Sequence, residues 1–270
     1  AYNNFGMAYK DEGYVDKAIE SYKKALSLKP NYKEALTNLG LGLDNFECDH
    51  FDPELNELLF QALDNKCVDP RSIAKSIIKL VNLDPKIQKI QQKIQQKIVT
   101  NEGLPCILNL IQVLSKNTLL LKFMTLCPIF DLKWEHLLTE MRSSILFFIS
   151  EIEESSEVFS FLESLTLQCF TNEYIYSQTP KETKILENLE KLIEKKIHIG
   201  ATPSWKELLC LGCYRTLLEY DWFKKVNFPK NIEKVYKRMI LEPLEEKELG
   251  SQISLLNETS DNVSKKVKKQ

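Results

Sequence analysis

Glycine is scarce in this sequence, eight in 270 residues, and proline numbers only ten. Sheet-rich and phosphate-binding folds use glycine for tight turns and close backbone approach. Its scarcity therefore points to helices joined by short connections. Histidine is scarcer still, at three, which leaves little room for imidazole metal sites or acid–base pairs. Neither sign of charge dominates: 36 Lys and Arg stand against 38 Asp and Glu, a formal net charge of −2. Phosphate backbones are bound by an excess of cations, so the balance argues against a nucleic-acid partner. Long apolar runs are missing too. A bilayer span needs about 18 such residues, and the nearest candidate, around Ile145 to Ile149, is far shorter. No membrane partner is expected, and no signal-peptide pattern is visible.

What is present suits an ordinary folded protein. Hydrophobic residues make up 43% of a chain long enough for one large or two ordinary domains. The seven cysteines (48, 67, 106, 127, 169, 210 and 213) are odd in number and spread among apolar neighbours. A secreted disulfide framework is shorter and denser in cysteine, so a reducing, cytoplasmic setting is expected. Asn257-Glu258-Thr259 and Asn262-Val263-Ser264 match the glycosylation sequon, a match that arises often by chance.

Self-similarity is visible at the start. Tyr2, Phe5, Gly6 and Tyr9 mark one face of a helix, and Ala18, Tyr22 and Ala25 mark one face of the next. Gly6 and Ala18 are small enough for the two helices to cross closely, Gly13 ends the first and Pro30 stops the second. Thirty-four residues on, Leu36, Leu39, Gly40 and Leu43 repeat Tyr2, Phe5, Gly6 and Tyr9. The register then fails, with Glu47 in place of the turn glycine and Asp52 in place of the small alanine. These residues resemble a tetratricopeptide (TPR) repeat, one full and one partial over residues 1–47. The resemblance implies an all-α helix-turn-helix array that binds a peptide or protein on its concave face. Asn4 and Asn38 share one repeat position, and the resemblance implies that such carboxamides contact a bound peptide backbone, with Met7 and Lys10 lining the groove. Ala1 then lies inside a repeat helix, and because such units need neighbours, either further repeats stand upstream or the following helices cap the stack.

The stretch 48–258 reads as helices throughout. Starts are expected at Pro53, Asp69-Pro70, Pro85, Leu104, Asp131, Ser155, Pro180, Ser204, Pro229 and Pro243. The Leu104–Leu126 segment breaks near Ser115–Asn117, and Pro85–Val99 shows a narrow isoleucine seam. Helices over 131–153, 155–176 and 204–220 are expected to be unbroken. Residues 259–270 turn polar and basic, as an exposed linker would.

Candidate chemistry is thin. Cys210-Leu211-Gly212-Cys213 is a lone CxxC with apolar flanks, which reads as buried structural cysteine rather than half a zinc site. Cys48-Asp49-His50 lacks further ligands nearby, and no metal site is expected. Gly40-Leu41-Gly42 falls inside the repeat register with no preceding strand, so it is no nucleotide loop. His136 and His198 have no visible partner. The densest polar string runs from Gln168 to Tyr176. Asn172, Glu173 and Tyr174, with Arg215, form the one cluster that an unrecognised active site in 69–258 would use.

Four strings carry a second resemblance: Gln168–Tyr176, Leu208–Tyr220, Glu242–Leu249 and Ser260–Gln270. They look like the helical region that joins TPR repeats to an S-adenosylmethionine-dependent methyltransferase domain in bacterial proteins. The resemblance implies that S-adenosylmethionine would be a cofactor of a larger parent protein, with no catalytic residue in this chain. The expectation is a non-catalytic, protein-binding helical array. The alternatives are an enzyme with its site in 69–258 and an oligomeric scaffold built on helices 131–153 and 155–176.

Overall fold

A computed structural model describes residues 1–43, 48–95 and 103–252, and among them the only regular elements are helices. The first three are α1 (Tyr2–Asp11), α2 (Val15–Leu28) and α3 (Lys33–Gly42). Helix α1 stops because Gly13 turns left-handed, with φ +82°. This lets Gly13 N donate to the Lys10 carbonyl at 2.9 Å and Tyr14 N to the Tyr9 carbonyl at 2.8 Å. The close crossing of α1 and α2 has a measurable basis. A Cβ on Gly6 would stand 2.4 Å from Cε1 of Tyr22, a ring with no exposed surface. Helix α3 packs on both α1 and α2.

Beyond α3 the structure clarifies why the 34-residue register lapses. Helix α4 (Pro53–Asp64) packs on α3 as the second helix of a repeat would, but it starts four residues late: Val15 plus 34 is residue 49, and α4 begins at 53. Asp52 cannot be the small crossing residue because it caps α4, its carboxylate accepting from the Leu55 amide at 2.9 Å. The same carboxylate receives the Lys23 ammonium of α2. Burial alone would raise the Asp52 pKa, but Lys23 and the backbone amides outweigh it and hold the carboxyl below its ordinary value. Glu47 lies outside the described residues.

The remaining helices are α5 (Ala74–Asn82), α6 (Pro85–Gln95), α7 (Leu104–Leu114), α8 (Thr118–Met124), α9 (Leu132–Phe148), α10 (Ser156–Thr171), α11 (Pro180–His198) and α12 (Trp205–Gly212). Short 3-10 turns follow, then α13 (Glu233–Tyr236), a π turn over Lys237–Leu241, and α14 (Glu242–Gln252). Side chains cap the starts: Asn117, Asp131 and Ser155 accept backbone amides, and Thr179–Glu182 and Ser204–Glu207 form reciprocal capping boxes.

Several expected boundaries shift. Asp69-Pro70 does not open α5. Asp69 instead bonds the Arg71 amide at 3.0 Å in a local turn, and the helix begins at Ala74. Helix α9 ends at Phe148 rather than 153, and α10 at Thr171 rather than 176. There the Tyr174 amide reaches back to the Cys169 carbonyl at 2.9 Å, which forces Glu173 and Tyr174 to φ of +57° and +59°. The helix expected over 204–220 ends at Gly212 and gives way to 3-10 turns. The break near Ser115 is a real corner, since α7 and α8 are bent 94° apart. No single helix among the described residues is long and apolar enough to cross a membrane. Part of the isoleucine seam, from residue 96, and the linker at 259–270 lie outside the described residues.

A single buried cluster runs from Ala18 to Ile240. Helix α10 lies near its centre, packed on α7, α8, α12 and α13, while α4 joins the N-terminal repeats to α5 and α8. The apolar faces of α9 and α10 lie in this core.

Candidate interaction surface

The first helices of the two repeats present matching positions to solvent. Met7 on α1 and Leu41 on α3 stand 34 residues apart, and both are about half-exposed, 46% and 49%. Asn3, one turn before Met7, and Asn38, one turn before Leu41, form an amide pair. Asn38 Nδ2 donates to Asn3 Oδ1 at 3.0 Å, and the Asn3 amide rests 4.0 Å from the Met7 sulfur. Asn4 and Lys10 are exposed on α1, whereas Asn38 is half-buried. Asn38 therefore bonds a neighbouring helix. Its partner is Asn3, at a spacing of 35 rather than 34, so repeat arithmetic pointed at Asn4 instead. Leu41 was also absent from the sequence reading, although its spacing of 34 from Met7 is a usable signal.

The second candidate cluster lies at the C-terminal end of α10. Asn172 is buried beside the Tyr176 phenol, Glu173 is exposed and Tyr174 is half-buried. Burial pushes the Tyr174 and Tyr176 phenols well above their ordinary values. Arg215 stands next to Thr216, which faces the Tyr174 phenol, but its own guanidinium bonds are to other residues. It donates to Gln178 Oε1 at 3.2 Å and to the Tyr214 carbonyl at 2.9 Å, with Glu190 4.0 Å away. The clefts beside Trp222, Phe147 and Phe130 are lined by other residues than Glu173, Tyr174 or Arg215.

A residue absent from the sequence reading organises this half of the molecule. Arg142 on α9 is 2% exposed. Its guanidinium lies 4.1 Å over the Tyr214 ring and 3.7 Å from Glu182, and donates to the carbonyls of Tyr176 and Ser177. Tyr214 in turn donates to Glu182 Oε1 at 2.8 Å. Burial pushes the Tyr214 phenol far up, against the opposing pull of Arg142, and the Glu182 carboxylate adds to the rise. This network ties α9, α11 and the end of α12 together around a buried ion pair, in which the Arg142 Nε is left without a hydrogen-bond partner among the described residues. A cation between Leu138, Met141 and Ile145 in an otherwise inward stripe was its sequence signal.

The cysteines fit a packing role. Cys210 and Cys213 are each 1% exposed and Cys169 is fully buried, all as free thiols. Burial raises the Cys169 and Cys210 pKa values well above the ordinary thiol value, so these sulfurs pack as neutral groups. In the Cys48-Asp49-His50 string the Cys48 sulfur faces the His50 carbonyl, and His50 Nδ1 meets Asp49. Among the described residues no three His, Cys, Asp or Glu side chains converge as metal ligands.

Helices α1 and α2, their glycine crossing and the start of α3 thus show a repeat unit in geometry as well as in spacing. Residues 1–32 match the tetratricopeptide repeat family. No curated protein and no solved structure matches the chain. The TPR repeat makes this N-terminal region a helical protein-interaction module, continuous with an all-α remainder. The methyltransferase-linked resemblance of the remainder receives no support from these comparisons.

Proposed function

We propose that the chain is a non-catalytic binding region whose TPR face, formed by α1 and α3, takes an extended peptide. The observation that carries this reading is the pair Met7 and Leu41, two apolar side chains left half-exposed at equivalent positions one turn beyond the Asn3–Asn38 bond. An apolar pair can seat alternate side chains of an extended ligand, while Asn4 and Lys10, exposed on the same helix as Met7, supply polar contacts to its backbone and to an acidic group. In the finer form of this proposal, the region presents a protein substrate within a larger, cytoplasmic S-adenosylmethionine-dependent methyltransferase. Only the four sequence strings quoted above support that step, and no described residue is assigned to the cofactor.

Selection from a displayed random-peptide library tests the binding reading. The wild-type protein is expected to enrich a common apolar motif, and the variant carrying Met7→Asp with Leu41→Asp is expected to lose it at an unchanged melting temperature, since both side chains are exposed. Equal enrichment by both proteins would remove this face as the binding site.

A further inference from the structure

A second groove lies away from the TPR face, between α5 and the segment that joins α8 to α9. It encloses about 500 Å³. One wall carries Arg71, Lys75 and Lys79, spaced four residues apart and all exposed. That spacing places them on one side of α5 and its lead-in, spread over roughly 12 Å. None of the three makes an ion pair among the described residues. In a chain of net charge −2, three adjacent cations without carboxylate partners are a local excess.

The facing wall is apolar. Its lining includes Phe130, 84% exposed, with Ile78 and Pro128 half-buried beside it; Leu132, outside the lining at the first turn of α9, is also 84% exposed. Exposed aromatic and aliphatic side chains in such a density are typical anchors for a partner. Their backbone is pinned. With its amide turned to match its neighbours, the fully buried Gln168 donates to the Met124 and Cys127 carbonyls at 3.1 and 3.2 Å and accepts from Ile129 N at 3.1 Å. On the other side of Phe130, Asp131 is the carboxylate of the groove, and it is committed to capping α9 through the Lys133 and Trp134 amides at 2.9 and 3.1 Å. Asn82 closes one end. Its oxygen is taken by Trp134 Nε1 and Gln91 Nε2, each at 2.8 Å, which leaves its N–H donors for a ligand carbonyl.

We infer that this groove binds an acidic peptide segment carrying an apolar anchor side chain. The anchor would sit against Phe130 and Ile78, and the ligand's Asp or Glu side chains would lie along Arg71, Lys75 and Lys79. A nucleic acid or a lipid headgroup would match the cations alone. The apolar half of the groove and the slightly negative overall charge of −2 favour the peptide. A preformed, pinned Phe130 lowers the ordering cost of binding.

Fluorescence anisotropy tests this with a labelled peptide of alternating Glu and Leu around a central Phe, its Lys-for-Glu analogue, a single-stranded oligonucleotide, and phosphatidylserine-containing vesicles. The acidic peptide is expected to bind with Kd of about 10 µM. Lys75→Glu with Lys79→Glu should weaken it about tenfold or more, and salt should do likewise. Phe130→Ser should weaken it without changing its salt dependence. All three side chains are exposed, so melting temperatures should be unchanged, and Met7→Asp with Leu41→Asp should leave this binding intact. Absence of acidic-peptide binding, tighter binding of the oligonucleotide, the vesicles or the Lys analogue, or insensitivity to both groove variants would overturn the inference.

Discussion

Tyr2 and Leu36 occupy the same place in successive repeats, as do Phe5 and Leu39, yet their surroundings are opposite. Tyr2 and Phe5 are 40% and 57% exposed, whereas Leu36 and Leu39 are 1% and 0%. Among the described residues helix α3 packs chiefly on α1, α2 and α4, while α1 packs chiefly on α2 and α3. The repeat spacing chooses which face of a helix is apolar, and the number of neighbours chooses whether that face becomes core. On α1 the two rings pack edge-to-face at 6.4 Å, and the Lys24 ammonium lies 5.9 Å over Tyr2, so the exposed pair covers part of itself.

Truncation should expose the contrast most strongly. Leu39→Ala is expected to cost about 3 kcal/mol in urea unfolding, and Phe5→Ala below about 1 kcal/mol. Equal losses would mean that α1 is as constrained as α3.

The crossing glycines give the next largest effect. Gly6→Ala would drive a Cβ into the buried Tyr22 ring, and Gly40→Ala would meet the Val68 methyls at 2.5 and 2.9 Å, on a half-buried loop residue rather than a fully buried ring. Gly6→Ala should therefore lose about 1–3 kcal/mol and Gly40→Ala less. The reverse order in thermal melts would place the tighter contact at the second repeat.

The late start of α4 offers a pH test. Asp52 has its folded pKa lowered, so its contribution is present above the unfolded value of about 3.9 and is lost as pH falls through the lower folded value. For Lys23, burial would lower the pKa, but the hydrogen bond and charge of Asp52, helped by Glu20 and Glu54, raise it. Its contribution is full below about 10.4 and disappears as pH rises through the folded value. Asp52→Ala is expected to cost about 1–2 kcal/mol at neutral pH through the lost cap and the stranded lysine. Its deficit relative to wild type should shrink below about pH 4. A pH-independent deficit in melting temperature would show that only packing was disturbed.

The smallest contrast separates the asparagines. Asn38→Ala should cost about 1 kcal/mol because it strands the buried Asn3 oxygen, whereas Asn4→Ala should stay within about 0.5 kcal/mol. Equal values by chemical denaturation would indicate that the Asn3–Asn38 bond adds nothing.

Much of the fold was legible because helices advertise themselves locally. Apolar spacing in α1 to α3, the caps at Asp131 and Ser155, and the corner at Asn117 are all written within a few residues of where they act. Where the reading failed, the competing interaction was also short-range but concerned turns. Asp69 bonded its own turn, and the Cys169 carbonyl drew the Tyr174 amide back to end α10 early. The candidate surface was legible at Met7 and less so at its neighbours, because Asn38 reaches Asn3 across two helices and Leu41 matters only beside Met7. Arg142 was missed for the same reason, since its partners come from 34 to 72 residues away.

The shortage of glycine, the balance of charge and the 34-residue spacing determined an all-helical chain with a TPR start, because backbone freedom, capping and apolar period are properties of short stretches. Which of those apolar faces are covered, which asparagine finds an amide partner and which lysines are left without a carboxylate were decided only by tertiary structure. Burial and pairing depend on surfaces brought together from distant parts of the chain, and no local spacing encodes them.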